Sequence, residues 1–313
     1  MQSNQIEKML THHLVRNLPQ HKVQDVYLYA TLPGGKLFRP HLVWSVAQDL
    51  NPAMAKTSEA QMNSNHALLS SSVEFHHTYT LLHDDLPCMD NDLERRGKPC
   101  THIAFGEWQA LLTGDGLLNI SYRLLSQMKH PRAQELFKFF SWALGPKGLI
   151  HGQVMDLAHE MTQDFSSTLR THELKTARLI QVAILGSAIL SLPESHRKKE
   201  KALWRFSRLL GVNFQLIDDL SELAERNLSS HEKDVNPWIH FPAETYHETL
   251  RGLKEFERLA RELKLTNTNH IVTEYYSKML SIIRPNKEII DGHLQGKLDL
   301  VPVILVMQAF SDV

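Results

Sequence analysis

The sequence predicts an all-α fold, a single-domain helical bundle over residues 1–313 with its helices around a deep central cavity. Apolar residues recur at helical spacing almost throughout, while alternating strand patterns and hairpin dipeptides are nearly absent. The breaks fall at short punctuation: Pro33-Gly34-Gly35, Asn51-Pro52, His130-Pro131, Gly145-Pro146 and Pro193. With 42% hydrophobic residues the chain can bury a sizeable core, and no internal repeat or low-complexity linker divides it.

Leu42, Val43, Val46 and Ala47 mark a first helix just after Arg39-Pro40. A second is expected over 73–86 and a third over 108–125. Residues 180–190 are apolar nearly all round, as a helix buried on every side would be. Residues 223–250 carry Asn227, Ser229, Ser230, Asn236, Pro237 and Pro242 and read as loop. Helices then follow over 247–263 and 267–283, and a last one over 297–311 is apolar enough to dock on the bundle.

The net charge of −1 provides no global basic field for nucleic acid or an anionic membrane. Cys88 and Cys100, without a secretory segment, argue for a reducing compartment rather than a disulfide framework. The N-terminus, MQSNQIEKML, lacks the basic-then-apolar design of a signal. No window approaches about eighteen uninterrupted apolar residues. The expectation is a cytoplasmic protein with no membrane span and no nucleic-acid partner.

Two acidic clusters lie roughly 130 residues apart: His83-Asp84-Asp85-Leu86-Pro87-Cys88-Met89-Asp90-Asn91-Asp92, followed by Arg95-Arg96-Gly97, and Phe214-Gln215-Leu216-Ile217-Asp218-Asp219-Leu220-Ser221-Glu222. Grouped carboxylates repel one another, and desolvation raises their pKa. Mg²⁺ relieves that cost, using one or two carboxylates and taking its other ligands from water and substrate phosphate. Clusters facing each other across a pocket would suit a diphosphate held by several Mg²⁺ ions. Asp218 and Glu222, four apart, share a helix face with Cβ atoms about 5–6 Å apart. Asp84 and Asp90, six apart, need a break between them, and Pro87 supplies it, so that the following turn carries Asp90 back toward Asp84. Solvated helix ends are the competing reading of either cluster taken alone.

The stretch VEFHHTYTLLHDDLPCMDNDLERRGKPCTHIAFGE (73–107) resembles the first aspartate-rich region of the trans-prenyltransferases, the farnesyl and geranylgeranyl diphosphate synthases. Upstream, Gly34-Gly35-Lys36-Leu37-Phe38-Arg39-Pro40 is similar to the family's GGKxxRP. Downstream, Leu112-Thr113-Gly114-Asp115, Gly152-Gln153-Val154-Met155-Asp156-Leu157, Lys175-Thr176 and the FQxxDD at 214–219 follow in family order. The resemblance implies the class I isoprenoid synthase fold and condensation of an allylic diphosphate with isopentenyl diphosphate.

By that resemblance, Asp84 and Asp90 bind Mg²⁺ from one side and Asp218 from the other, roughly three ions per site, with Asp85 and Asp219 supporting through metal-bound water. Arg95 would hold the allylic diphosphate through guanidinium hydrogen bonds. Lys36, Arg39, His77 and Arg96 would form a metal-free site for isopentenyl diphosphate. The glycines Gly34-Gly35 would let the backbone approach an anion closely. Lys175 would grip a diphosphate oxygen, while Thr176 and Gln215 stabilise the allylic cation as oriented dipoles. Tyr79, five residues before Asp84 and about 7.5 Å back along the axis, would floor the pocket beside the small Thr80. An aromatic there resembles bacterial C15 synthases, and C20 stays open, because core packing is the other reading of Tyr79. The resemblance also implies a homodimer.

Departures from the family pattern are Leu37 for a basic residue, Asn91 for an aspartate, Ala177 for the glycine of KTG, and DDLSE for DDxxD. The family's glycine-rich basic loop is replaced by Ser229-Ser230-His231-Glu232-Lys233-Asp234-Val235-Asn236-Pro237-Trp238, where Lys233 falls near the lysine that closes over the allylic diphosphate. Two readings follow: an active Mg²⁺-dependent synthase, or a catalytically weak homologue acting as a diphosphate-binding or regulatory partner.

Overall fold

The computed structural model describes residues 2–52, 62–192, 194 and 196–310. Its contacts divide into two compact units, residues 1–140 with 186–194 and residues 141–185 with 195–313. Among the described residues the secondary structure is helical save for one two-stranded antiparallel hairpin.

The first unit contains α1 (Ser3–Val15), α2 (Gln24–Thr31), α3 (Phe38–Leu50), α4 (Asn65–Asp84), the hairpin β1 (Glu94–Arg95) and β2 (Lys98–Pro99), α5 (Thr101–Phe105), α6 (Glu107–Ser126) and the start of α7 (Ala133–Leu144). The axis of this unit is α4, packed between α3 and α6 and buried on almost every face. The Ser64 side chain caps its start, accepting from the Ala67 amide at 3.2 Å. It extends further back than the expected 73–86 and stops at Asp84, because the approach to Pro87 disfavours helical backbone. The hairpin was not expected: strands of two residues are too short to alternate, and Arg96-Gly97 is not a standard hairpin dipeptide. Glu94 pairs with Pro99 and Arg95 with Lys98. Lys98 Nζ ties the hairpin to α2, donating to the Tyr29 and Leu32 carbonyls at 2.5 and 3.3 Å.

The second unit contains α8 (Leu149–Leu157), α9 (Phe165–His172), a π-helical turn (Glu173–Ala177), most of α10 (Arg178–Ser191), and α11 (Arg197–Glu222). It continues with α12 (Ser230–Val235), α13 (Pro237–His240), α14 (Pro242–Leu263), α15 (Thr266–Ile283), α16 (Lys287–His293) and α17 (Val301–Ala309). Ile180, Val182, Ala183 and Ile184 on α10 are fully buried, as the all-round apolar pattern requires. The helical run Phe165–Ser191 is long and apolar enough to cross a membrane by length and composition, but 83% of its apolar window is buried inside protein, as in a core helix. Residues 223–250 correct the loop expectation. Pro237 and Pro242 start helices rather than break them, since a first-turn proline loses no helical hydrogen bond. Pro302 does the same in α17, which starts at Val301 rather than near 297. The expected break at Pro193 and the end of the last helix at 311 lie outside the described residues.

Candidate active site

In the first unit the chain turns back on itself after α4. The Asp90 amide donates to the Asp84 carbonyl at 2.8 Å, with Leu86 to His83 and Met89 to Leu86 completing the turn. Asp90 therefore returns to Asp84, as the placement of Pro87 predicts. Asp85 points inward, 4% exposed, and accepts from Arg95 Nε at 2.6 Å. Arg95 Nη2 also donates to Asp92 at 2.8 Å. The guanidinium expected to hold a diphosphate is thus bonded to two carboxylates. The buried Cys100 thiol beside Asp85 is pushed up to about 12, by burial first and then by the hydrogen bond and charge of that carboxylate.

Arg96 sits at the hairpin tip with φ 56°, a left-handed conformation costing about 1–2 kcal/mol outside glycine, and Gly97 follows at φ 74°. Its guanidinium folds onto Gly35: a Cβ there would stand 2.3 Å from Arg96 Cζ. Gly35 therefore makes room for the Arg96 guanidinium, while a Cβ at Gly34 would meet the Leu37 side chain at 2.7 Å. Leu37, at the family's basic position, is a buried plug at 3% exposure with φ 48°. Lys36 is exposed on the same loop and Arg39 lies in the first turn of α3. His77 is held well below the usual histidine range, by burial first and then by Arg39, Arg96 and Arg95. It can serve as a neutral hydrogen-bonding group, not as a cation. Glu74, one turn earlier and 3% exposed, feels the same Arg39 and Arg96, yet burial still raises its carboxyl. An acid inside the apolar stretch before His77 was its signal in the sequence.

Tyr79 is 6% exposed, its ring edge-on to His76 at 4.6 Å and to His83 at 5.6 Å. The Thr80 hydroxyl is turned back to the His77 carbonyl at 2.8 Å.

In the second unit the site residues gather around the π turn, a distortion common at functional sites. Lys175 Nζ donates to Asp156 on α8. Thr176 Oγ1 donates to Gln215 Oε1 at 2.9 Å, and Gln215 Nε2 donates to Asp219 Oδ1 at 2.7 Å. Thr176 and Gln215 are thus directly linked. Close packing of α8 and α11 on the turn depends on glycine: a Cβ at Gly152 would stand 2.3 Å from the Lys175 amide nitrogen, and one at Gly211 2.4 Å from Ala177 Cα. The space that KTG would supply at 177 comes instead from Gly211.

Asp219 is 6% exposed, with Oδ2 unpartnered by hydrogen bonds and 3.6 Å from His172 Nε2. Burial, then the charge of Glu222, hold its carboxyl well above the usual range, with Asp218 and Asp156 adding to the effect. Burial lowers His172 to about 4, so both partners are driven toward their neutral forms. Asp218 and Glu222 lie in the last turns of α11. Lys233 lies exposed on α12 instead of on a flexible loop.

Residues for which no role is expected from sequence stand behind this cluster. Asp156, in the GQVMD segment, pairs with Lys175. Asn236 Nδ2 donates to the Asp219 carbonyl at 2.8 Å while its Oδ1 caps Trp238, whose Nε1 reaches the Leu216 carbonyl at 2.7 Å. The Asn-Pro pair, a helix cap followed by its first-turn proline, was the available signal.

Among the described residues no group of three or more His, Cys, Asp or Glu could hold a metal ion. Mg²⁺ needs no such cage, because it uses one or two carboxylates and completes its shell with water and phosphate. Crowded acids around a buried, unpartnered Asp219 oxygen fit a cation that arrives with a diphosphate.

The sequence profile of the polyprenyl synthetase family matches residues 20–235. Farnesyl diphosphate synthase of Bacillus subtilis (strain 168) is 37% identical over 253 residues, 76% of this chain and 82% of that protein. The apo structure of an FPP/GFPP synthase from Zymomonas mobilis superposes with a TM-score of 0.71 at 25% identity, covering 86% of this chain and 96% of that one. The geranyltransferase of Helicobacter pylori, solved with magnesium and isoprenyl diphosphate, gives 0.65 at 26% identity over 88% of this chain and 97% of that one. A profile spanning more than half of the chain and a relative this similar over most of its length show that the protein belongs to the polyprenyl synthetase family, among the short-chain trans-prenyl diphosphate synthases.

Proposed function

We propose that this chain condenses an allylic diphosphate with isopentenyl diphosphate, in a Mg²⁺-dependent reaction giving a C15 product. The observation carrying this reading is the return of Asp90 to Asp84 through a 2.8 Å main-chain hydrogen bond, in the turn that also precedes Arg95 and Arg96. Asp84, Asp90 and Asp218 are the proposed metal ligands, with Asp85 and Asp219 behind them. When bound, Mg²⁺ would supply Lewis-acid neutralisation of the departing diphosphate. Arg95, Lys175 and Lys233 would hold the allylic diphosphate. Lys36, Arg39 and Arg96, with neutral His77 as a hydrogen-bonding group, would hold the second substrate. Thr176 and Gln215 would face the allylic cation, their dipoles already fixed by the 2.9 Å hydrogen bond.

Tyr79, held edge-on by His76 and His83, is the proposed floor of the chain pocket. Incubating purified protein with Mg²⁺, isopentenyl diphosphate and dimethylallyl, geranyl or farnesyl diphosphate tests the whole reading. A C15 product, lost in Asp84→Ala and lengthened in Tyr79→Ala, is expected. A C20 product keeps the enzyme and discards the floor.

A second reading, a catalytically weak diphosphate-binding homologue, is favoured by Lys233 lying on α12 and by Glu222 in place of aspartate. Folded protein that binds diphosphate but forms no product with any primer would establish it.

The exposed stripe Trp108, Leu111 and Leu112 on α6, with Ile103 nearby on α5, is the proposed homodimer face. Sedimentation of Leu112→Glu as a monomer would support that assignment. The exposed, unpaired Cys88 accords with a reducing, cytoplasmic setting.

A further inference from the structure

Arg178 directly follows the π turn and is 4% exposed. Its guanidinium lies over the rings of Trp142 and Trp204, at 4.9 and 5.2 Å from their centroids. Nη2 donates to Glu173 Oε1 at 2.9 Å and Nη1 to Gln181 Oε1 at 2.8 Å. The other Glu173 oxygen accepts from Arg208 Nε at 2.8 Å, and Arg170 stands 3.7 Å from the first. None of these residues has a role in the proposed binding of substrate or metal.

The spacing is informative. Glu173 opens the π turn and Arg178 is the first residue beyond it, five positions on. On an uninterrupted α-helix, side chains five apart point about 140° away from one another, and only those three or four apart meet. A π turn, with its i→i+5 hydrogen bonds, brings residues five apart onto one face as neighbours. The ion pair therefore matches the π register and not the α register.

We infer that the Glu173–Arg178 pair, backed by Trp142 and Trp204, locks the π turn and so positions Lys175 and Thr176. Relaxation to α geometry would shift the helix phase by about 100°, one residue's rotation. That shift would separate Lys175 from Asp156, or Thr176 from Gln215. An apolar side chain against the tryptophans would avoid the desolvation that Arg178 suffers, but would set no register. Arg178 is thus a positioning residue that never touches substrate. The kinetic part of this inference rests on the proposed prenyl transfer; the register part does not.

The test is Arg178→Ala and Arg178→Lys in the full chain, read by crystallography and by steady-state kinetics. In Arg178→Ala, Glu173 keeps Arg208 and Arg170, so no buried charge is stranded. That variant should show i→i+4 hydrogen bonds across 173–177. Its kcat should fall about 10²-fold with KM for isopentenyl diphosphate within about twofold, the signature of misplaced groups in the reacting state. Arg178→Lys, which keeps the charge but loses the fork, should retain the π turn and recover most of the rate. A retained π turn in Arg178→Ala, an unchanged kcat, or a lysine variant as impaired as the alanine one would overturn the inference. Should Arg178→Ala not fold, Arg178→Met, which fills the space beside the tryptophans without the ion pair, decides: an α register there upholds the lock and a π register overturns it. If the wild-type chain forms no product, the proposed function fails, while the hydrogen-bond pattern of the variants still decides the lock.

Discussion

The two aspartate-rich segments share a motif and meet their charges in opposite ways. In the first unit, buried Asp85 is engaged by Arg95, which also holds Asp92, and Arg39 and Arg96 lie close enough to depress His77. In the second, buried Asp219 meets the further acids Glu222, Asp218 and Asp156, and its Oδ2 has no hydrogen bond. In the first segment the buried carboxylate is matched by a guanidinium. In the second, the buried carboxyl keeps one oxygen without a hydrogen bond beside further acids. A pattern of carboxylates therefore does not state its own charge balance; the residues folded against it do.

The sharpest way to break this comparison is the same isosteric change in both places. Asp219→Asn should lower kcat about 10²-fold, consistent with losing several kcal/mol of help to the departing diphosphate. It should leave urea stability in the absence of Mg²⁺ unchanged or higher, because a repelled buried acid is removed. Asp85→Asn should destabilise the fold by about 1–3 kcal/mol, because Arg95 loses its buried partner. Matching stability changes in the two variants would erase the contrast.

Next in size is backbone space. Gly211→Ala drives a methyl to 2.4 Å from both Cα and Cβ of Ala177 and should cost about 1–3 kcal/mol, a cost that adding Ala177→Gly does not remove because the backbone Cα stays in place. Gly35→Ala meets only the far end of Arg96 at 2.3 Å, a side chain that can move. It should barely change stability while raising KM for isopentenyl diphosphate.

A further contrast between the two units is pH dependence. His13 and His66 fall from 6.5 to about 4 and His76 to about 3, with burial the largest cause in each. A folded-state pKa below the unfolded one means that the unfolded chain takes up protons first. Stability is then present above about pH 6.5 and lost as pH falls toward 4, at up to ~1.4 kcal/mol per pH unit for each histidine. Glu74, raised on folding, offsets part of this in the first unit. In the second, Asp219, raised, opposes His172, lowered to about 4. Amide protection factors, corrected for the intrinsic rate at each pH, should therefore fall more in α1 and α4 than in α11. Equal loss of protection in both units would count against the charge assignments.

Much of the site was legible in the sequence because its signals are local. Pro87 between Asp84 and Asp90 announces the turn that returns one to the other, and FQLIDD places Gln215 one helical turn before Asp219. The Asn, Ser and Pro residues of 223–250 suit loop and helix start equally, and the Asn236 cap makes Pro237 the start of a helix.

By itself the sequence determined the all-α class, through apolar periodicity, and the residue types the chemistry needs, through motif spacing. Both depend on interactions a few residues long. Tertiary structure decided the Arg95–Asp85 pairing, the Gly35 space filled by Arg96, and the π turn between Glu173 and Arg178. Partners distant in sequence set burial, charge balance and close approach, and these fix which groups are neutral and which are paired.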